Sequence, residues 1–204
     1  MQLIPVASPP VLPTIVACYS ARLADADGRE HFAAGRECAA RAISQLTGQA
    51  PEHDIPRGPA GEPLWPAGLT GSITHTGDFV SVAIARATAV RAIGLDAERI
   101  VEPDRSRRVA PMIVQPGEPA DGDEEAPGPV RVTLIFSIKE AVFKCLYPLV
   151  RERFYYPALL VTALDFSTGV FGAELAVSLP GHWLRKHALH VAAPNISNSR
   201  STLA

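Results

Sequence analysis

The chain has 204 residues, of which 47% are hydrophobic and 20% are charged, and its formal net charge at neutral pH is −2. This length and composition suffice for a buried core in one domain or in two half-sized lobes. The balanced charge argues against a protein that binds nucleic acid or a membrane surface through bulk positive charge, and no window reaches the roughly 18 uninterrupted apolar residues of a membrane span.

Three scattered cysteines favour a reducing compartment. Cys18, Cys38 and Cys145 are an odd set without CxxC spacing, which argues against a disulfide framework or a cysteine-bound zinc. Residues 1–5 place no basic region ahead of an apolar stretch, so we expect no signal peptide. The predicted location is the cytoplasm.

The first half of the chain predicts a strand, a helix and two further strands. Residues 14–18 form a short apolar run that indicates a strand, and the alanine-rich residues 29–46 predict a helix. Residues 51–71 are a loop rich in proline and glycine. Residues 79–85 and 92–97 have the composition of strands.

The second half predicts a long connection, one helix and several strands. Residues 102–129 are irregular in composition, and we expect a long loop over 111–129. A helix is predicted over 137–149. Strands are expected at residues 130–136, 159–166, 170–179 and 189–192. Because each half offers a helix and strands, the pattern favours a two-lobed α+β fold.

An arginine lies within the apolar stripe of the first predicted helix. At about 100° per residue, Phe32, Arg36 and Ile43 share one face, whereas Arg41 points away from it. A buried guanidinium must meet an anion, because an unpaired buried charge is costly. Arginine binds both carboxylates and phosphates well, so a carboxylate of this chain and a ligand phosphate both remain open.

Residues 71–79, GSITHTGDF, place a histidine between two threonines. His75 precedes Gly77, at which we expect the chain to turn between strands. Such a histidine can be purely structural. Together with Ser72 it could belong to a hydrolase, but the GxSxG motif is absent. Phosphate contact by the imidazole, the hydroxyls and the loop amides is equally consistent with the pattern.

Two acids lie on one face of the segment IGLDAE at residues 93–98. Strand-like alternation places Asp96 and Glu98 on the same side, where they repel each other unless a cation lies between them. Oxygen ligands suit a hard cation such as Mg²⁺, which takes one or two carboxylates together with substrate phosphates. The alternative is a solvated edge on which the acids meet only water, Arg91 or Arg99.

The second predicted helix carries a polar face. Ser137 and Glu140 fit a capping box, and Glu140 and Lys144 fit a salt bridge between residues four apart, both of which are ordinary helix features. Glu140 and Lys144 nevertheless lie off the apolar stripe, on the side of Tyr147. A charged face that also bears an aromatic side chain indicates a covered surface, so both interpretations stay open.

Taken in order, these segments resemble the 4′-phosphopantetheinyl transferases, in particular the bacterial type of the enterobactin-synthase and mycobacterial enzymes. The resemblance covers about residues 29–180 and is carried by FAAGRECAARA (32–42), GEPLWPAGLTGSITHTGDF (61–79), IGLDAE (93–98) and FSIKEAVFKCLYPL (136–149). It implies an α/β (α+β) fold of two similar lobes related by a pseudo-two-fold axis. Each lobe, over residues 1–100 and 101–204, would pack a helix on a small antiparallel sheet.

The resemblance also implies an activity. The chain would transfer the 4′-phosphopantetheine group of coenzyme A to a serine of an apo acyl, peptidyl or aryl carrier protein and release adenosine 3′,5′-bisphosphate. The implied cofactor is Mg²⁺, with Mn²⁺ as a substitute, and the implied state is a monomer without a nucleic-acid or membrane partner. A magnesium-dependent phosphohydrolase and a catalytically silent coenzyme A-binding protein are the alternatives.

Matching motif positions assign roles to individual residues. The implied metal ligands are Asp96, Glu98 and Glu140, and Glu140 or a water molecule on the metal would accept the serine proton. Lys144 would be catalytic by offsetting charge on the bridging oxygen and the leaving phosphate. The residues implied in coenzyme A binding are Arg29, Arg36, Arg57, Thr74, His75, Lys139 and Lys144. The arginines would lie at the 3′-phosphate and adenine end, and His75 with Thr74 at the pyrophosphate.

Carriers of this kind expose an acidic helix beside their serine. We therefore expect a basic and apolar docking patch on the second half of the chain. Its predicted members are Arg105, Arg107, Arg108, Met112, Ile113 and Val114.

Overall fold

Two three-stranded antiparallel sheets, with helices packed on them, make up the described part of the chain. The computed structural model describes residues 16–23, 28–119, 128–165, 170–177 and 191–192. Its elements are β1 (Val16–Arg22), α1 (Gly28–Thr47), β2 (Leu69–Thr76), β3 (Phe79–Arg86), α2 (Pro103–Ile113), α3 (Gly128–Val150), a 3₁₀ turn (Tyr156–Ala158), β4 (Leu159–Asp165), β5 (Val170–Leu175) and β6 (Val191–Ala192). The predicted α/β class is confirmed. None of the helices within these ranges is both long and apolar enough to span a membrane.

The first sheet has the strand order β1-β3-β2, and α1 packs against it. Small side chains on α1 let the helix approach the β-branched residues of β3 closely. Buried members of this first core include Ala34, Cys38, Ala42, Ile43, Val80, Val82 and Ile84. The helix predicted over 29–46 is confirmed, as is the turn at Gly77, whose φ of 55° favours glycine.

The second sheet has the strand order β4-β5-β6 and shares a separate core with α2 and α3. Buried members of this second core include Ile113, Val132, Ile135, Val142, Leu146, Leu159, Val161 and Phe171. Within the described residues, the strands predicted at 159–166, 170–179 and 189–192 are confirmed by β4, β5 and β6.

The strand predicted over 130–136 is wrong, because this segment is the beginning of α3. Its β-branched residues indicated a strand, but Val132 and Ile135 extend a helical stripe that continues to Leu146, and all three are buried. Burial of an apolar helix face outweighs the small helix penalty of β-branched side chains. Ser137 consequently lies inside the helix, so the capping-box interpretation is wrong as well.

The irregular connection predicted over 102–129 contains a helix, α2, which corrects that prediction. Pro103 fits because it stands at the start of the helix, where its missing N–H has no intrahelical partner to lose. Pro111 lies in the last turn. The loop expected over 111–129 therefore begins only after α2, and its residues 120–127 lie outside the described residues.

The two sheets have related but unequal connections. In each sheet the second strand of a hairpin, β3 or β5, occupies the centre. The third strand precedes the helix in the first sheet and follows the hairpin in the second. The pseudo-two-fold relation and the lobe boundary at residue 100 stay predictions.

Candidate active site

The acidic segment at residues 94–98 runs beside β2 and is held there by side-chain hydroxyls. Leu95 N donates to Ser72 Oγ at 3.0 Å, and Ala97 N donates to Thr74 Oγ1 at 3.0 Å. Both hydroxyl residues are buried. The strand predicted over 92–97 is therefore wrong, because these described residues join neither sheet and use the hydroxyls as acceptors.

A glycine lets the same segment lie directly against α3. An ideal Cβ on Gly94 would stand 1.7 Å from the carbonyl oxygen of Ala141 and 2.8 Å from Cys145 Cβ. No side chain larger than hydrogen fits this approach. The acidic segment is thus fixed between β2 of the first half and α3 of the second.

Asp96 is the most enclosed acid of the site, with a side chain only 3% exposed. Its Oδ1 accepts hydrogen bonds from Lys144 Nζ at 2.5 Å and from Thr74 Oγ1 at 3.3 Å. Its Oδ2 is buried and forms no hydrogen bond with any described residue. A solvated edge is therefore excluded for Asp96. The Glu140–Lys144 pair predicted within the helix is also wrong, since Lys144 pairs with Asp96.

Glu98 and Glu140 face the same region as Asp96. Loss of water around the Glu98 carboxylate, followed by the negative charges of Asp96 and Glu140, raises the pKa of Glu98. Glu140 Oε1 accepts a hydrogen bond from the phenol of Tyr156 at 3.0 Å. Burial and the charge of Glu140 raise the pKa of Tyr156 to about 12, so this phenol remains a donor at neutral pH.

These acids fit a hard divalent cation. The described residues contain no group of three His, Cys, Asp or Glu side chains already close enough to hold one. Their donors are nevertheless carboxylate oxygens, which Mg²⁺ prefers. Asp96 Oδ2 is buried and has no hydrogen-bond partner among the described residues. Because a buried carboxylate oxygen without a partner is energetically costly, this atom is a candidate metal ligand.

Cationic and imidazole groups lie on the other side of Asp96. The ring of His75 stacks on His31 with centroids 4.7 Å apart, and the Nε2 of His31 contacts the carbonyl oxygen of Gly77 at 2.5 Å. Burial, then the charges of His31 and Lys144, lower the pKa of His75. An anion bound beside His75 would offset these neighbouring positive charges and favour the protonated imidazole.

Two arginines form a second positive region. Arg36 Nε donates to the carbonyl oxygen of Ile55 at 2.6 Å, and its guanidinium lies 4.4 Å from the ring centroid of Phe32. Burial and the charge of Arg57 lower the pKa of Arg36. Within the described part of the chain neither arginine forms an ion pair with a carboxylate. The carboxylate alternative for Arg36 is thereby removed, and two arginines without counter-ions favour an anionic ligand.

A cleft of about 220 Å³ lies beside Lys144. Lys144, Phe143 and Tyr147 line it from α3, and Trp65 lines it from the loop before β2. Other lining residues are Ala60, Gly61, Glu62, Pro63, Gly71, Ser72, Ile73, Pro148 and Arg153. Gly61 also lies under the Arg57 guanidinium, since a Cβ there would come within 3.2 Å of it. The cleft therefore extends from Lys144 to Gly61, which lies beside Arg57.

Lys139 was predicted to contact a phosphate, and the structure corrects this. Its side chain is 1% exposed and its Nζ lies 2.8 Å from Glu118 Oε1. The same ammonium donates to the carbonyl oxygens of Ile113 at 2.8 Å and Tyr156 at 3.2 Å. An ammonium has three donors, so none remains for a ligand. Burial lowers the pKa of Lys139, and the hydrogen bond and negative charge of Glu118 partly offset this lowering.

Two further predicted ligands differ from expectation. Thr74 is 2% exposed and its hydroxyl is engaged by Ala97 N and Asp96, so it holds the acidic segment and does not bind pyrophosphate. This corrects the prediction that Thr74 binds coenzyme A beside His75. The side chain of Arg29 lies outside the described residues.

Sequence reasoning missed the roles of four residues at the site. Ser72 and Thr74 alternate on one face of β2, a pattern of hydroxyls that could have indicated their shared role. Tyr156 and Glu118 carry no local signal, because each acts on a residue far from it in sequence. Their roles are visible only in the fold.

Two family models match the chain. The 4′-phosphopantetheinyl transferase N-terminal domain matches residues 21–85, and the 4′-phosphopantetheinyl transferase superfamily matches residues 92–192. Together the two matches include the acidic segment, the cleft and α3. The site described above therefore lies within the matched regions.

Several curated proteins are similar to the chain. The 4′-phosphopantetheinyl transferase PptT of Mycobacterium tuberculosis is 34% identical over 71% of this chain and 62% of its own length. The 4′-phosphopantetheinyl transferase Svp of Streptomyces mobaraensis is 37% identical over 73% of this chain and 60% of its own length. Enterobactin synthase component D of Salmonella typhi is 34% identical over 56% of this chain and 46% of its own length. The chain thus spans about three fifths of the first two relatives.

Proposed function

The chain belongs to the 4′-phosphopantetheinyl transferase superfamily, and from this premise we propose that it transfers the 4′-phosphopantetheine group of coenzyme A to a serine of an apo carrier protein. The carrier is an acyl, peptidyl or aryl carrier. The serine oxygen bonds to the phosphorus next to pantetheine, and the bond from that phosphorus to the bridging oxygen breaks. Adenosine 3′,5′-bisphosphate leaves.

One observation carries the proposal. Asp96 is a buried carboxylate with one oxygen on Lys144 and the other without a hydrogen bond to a described residue, and Lys144 lines a cleft whose Gly61 lies against Arg57. A phosphoryl transfer needs this combination, because charge on the transferred group must be neutralised while the reacting atoms are aligned.

The acids are the proposed metal site. Asp96, Glu98 and Glu140 would hold Mg²⁺, or Mn²⁺ in its place, because their carboxylates share one region and mutually disfavour ionisation of Glu98. When bound, the cation would neutralise charge on the pyrophosphate of coenzyme A.

The residues of the chain supply the remaining functions. Glu140 is the proposed acceptor of the serine proton, since its carboxylate lies half-buried at the site. Lys144 reaches both Asp96 and the cleft, so its ammonium can offset charge on the bridging oxygen. His75 is the proposed pyrophosphate ligand. Arg36 and Arg57 are the proposed ligands of the 3′-phosphate, for which Arg36 needs no rearrangement of an existing ion pair.

The decisive experiment is mass spectrometry of a panel of apo acyl, peptidyl and aryl carriers. Each is incubated with the protein, coenzyme A and Mg²⁺, beside the same carrier with its acceptor serine changed to alanine. We expect the added arm on at least one carrier and on no alanine variant. Steady release of nucleotide without carrier, and no modified carrier, would instead support the phosphohydrolase alternative.

The docking patch keeps part of its predicted membership. Arg105, Arg108 and Met112 share one exposed face of α2, three and four residues apart. Ile113 is buried in the second core, which corrects its predicted place in the patch, and Val114 packs against that core. We propose that the exposed three meet an acidic carrier helix. Arg105 also lies near enough to Glu98 to lower its pKa, so the patch borders the site.

Charge reversal tests this docking face. The double variant Arg105→Glu with Arg108→Glu should raise the Michaelis constant for carrier by about tenfold or more, because like charges would then meet at the interface. Coenzyme A affinity, measured by calorimetry, should change much less than the Michaelis constant for carrier, because Arg105 only borders the acids. Arg107→Glu is the matched control, since Arg107 points to the opposite side of α2 and pairs with Asp104. Equal Michaelis constants for carrier in the wild-type protein and all variants would contradict the proposal that this face of α2 contacts the carrier.

A further inference from the structure

We propose that Tyr156 is a positioning residue whose phenol holds the Glu140 carboxylate in its working orientation. The inference rests on the proposed function, because it assigns a support to one of that site's acids. It concerns a residue outside the motifs that carry the family resemblance.

The contact itself is direct and specific. The hydroxyl of Tyr156 donates to Glu140 Oε1 at 3.0 Å across 16 residues of sequence. Lys144, the cation one helical turn from Glu140, is engaged by Asp96. Among the described residues, Tyr156 is therefore the group that fixes Glu140, and a hydrogen bond to a charged acceptor is among the stronger ones in proteins.

Tyr156 is itself held from two sides. Its ring packs edge-on against Phe136 of α3, with centroids 5.7 Å apart. Its carbonyl oxygen accepts from Lys139 Nζ at 3.2 Å, and that lysine is locked by Glu118. A phenol whose ring and backbone are both fixed by packing can orient the carboxylate that it contacts, whereas a mobile phenol cannot.

Glu118 extends this support to two other elements. Its carboxylate also accepts from Gln115 N at 2.6 Å, just after α2, and from Val161 N of β4 at 2.7 Å. The buried pair with Lys139 thus joins α2, α3 and β4 beneath Tyr156. Lys139, which the family motif places next to Glu140, holds the backbone of Tyr156. Tyr156 in turn positions Glu140.

The surroundings leave room for Glu140 to move once the phenol is lost. A cavity of about 20 Å³ lies beside the contact, lined by Glu140, Phe143, Phe154 and Tyr156 among others. Without the hydroxyl, the Glu140 side chain gains rotamers and this space becomes larger. Loss of an oriented carboxylate weakens metal-dependent binding even when the fold is intact.

The test compares Tyr156→Phe with Tyr155→Phe. Both remove one hydroxyl from adjacent tyrosines that line the small cavity, but Tyr155 is 77% exposed and it is Tyr156 that donates to Glu140. Coenzyme A affinity is measured by calorimetry in Mg²⁺ and again in EDTA, and thermal unfolding is measured without ligand. For Tyr156→Phe we expect a loss of about 10- to 100-fold in the Mg²⁺-dependent part of the affinity, with kcat lowered in parallel. Affinity in EDTA should match that of Tyr155→Phe, and the unfolding midpoint should fall only by the few degrees expected for the loss of one hydrogen bond to a charged group.

The outcomes separate this inference from the proposed function. If the wild-type protein gains no coenzyme A affinity from Mg²⁺ and modifies no carrier, the proposed function fails. If the wild-type protein does both and Tyr156→Phe behaves like Tyr155→Phe, the positioning role is overturned. Equal losses in Mg²⁺ and EDTA, with a midpoint lowered by more than those few degrees, would also overturn it, because they indicate a structural role only. A cycle with Glu140→Gln adds a check: Tyr156→Phe should have little further effect once the carboxylate is gone.

Discussion

Changing Asp96 to asparagine is expected to lower kcat/KM for carrier modification by at least about 10²-fold while the protein stays folded. The change keeps the size of the side chain and an oxygen that can accept from Thr74. It removes the negative charge that pairs with Lys144 and converts one carboxylate oxygen into an amide nitrogen. A neutral amide is a poorer ligand for a hard cation than a carboxylate.

Stability should fall only modestly in this variant. The buried Oδ2 of Asp96 forms no hydrogen bond with the described residues, so its replacement breaks no bond on that side. Lys144 is 30% exposed and can be solvated when its partner loses charge. We expect a loss of about 1–2 kcal/mol in the free energy of unfolding, because the partial exposure of Lys144 limits the cost of losing its buried partner's charge.

The matched control is Asp78→Asn. Asp78 also accepts from cationic side chains, Arg22 at 2.8 Å and Arg99 at 3.4 Å, but it lies exposed at the β2–β3 turn. Its replacement should leave transfer rates unchanged. Initial rates by mass spectrometry and urea unfolding check both variants. A folded Asp96→Asn protein with near wild-type rates would remove Asp96 from the metal site and, with it, the reason for the proposed chemistry.

The sequence predicted those features that depend on local pattern. The helix at 29–46 follows from an alanine-rich stretch with apolar residues at helical spacing, and α1 occupies almost the same range. The turn at Gly77 follows from a residue that tolerates positive φ. The assignment of Asp96 and Lys144 to one site followed from the family motifs, and the structure shows a hydrogen bond between the two side chains that the motifs did not predict.

Features decided by distant partners were not predictable in this way. Residues 92–97 alternate like a strand, but whether their N–H groups meet a strand or two hydroxyls depends on what lies beside them. Val132 and Ile135 favour a strand locally and become helical because the second core accepts their face. Lys139 stands in a catalytic motif, yet Glu118, 21 residues upstream, withdraws it from the site.

Replacing Gly94 with alanine should cost both stability and activity. The new Cβ would stand 1.7 Å from the carbonyl oxygen of Ala141, which belongs to the backbone of α3 and cannot turn aside. The acidic segment would have to move away from the helix. We expect the free energy of unfolding to fall by about 3 kcal/mol, as for an overpacked core. Urea denaturation measures this loss.

The same displacement should reduce activity more than instability alone would. Moving residues 94–98 away from α3 separates Asp96 from Lys144 and strains the Leu95 and Ala97 bonds to β2. Carrier modification should therefore fall by about 10²-fold even where most molecules remain folded. Gly128→Ala is the control, because a Cβ there meets nothing within 4 Å at the start of α3.

Combining Gly94→Ala with Asp96→Asn tests whether Gly94 acts through Asp96. If steric displacement removes Asp96 from its partners, adding Asp96→Asn to Gly94→Ala should lower transfer little further, because the carboxylate is already out of place. If the two substitutions acted independently, the fold-losses in transfer activity of the single variants would multiply in the double variant. An unfolding midpoint for Gly94→Ala equal to that of Gly128→Ala would contradict the close packing of the acidic segment on α3, since no backbone oxygen can accept a methyl group at such a distance without a structural change.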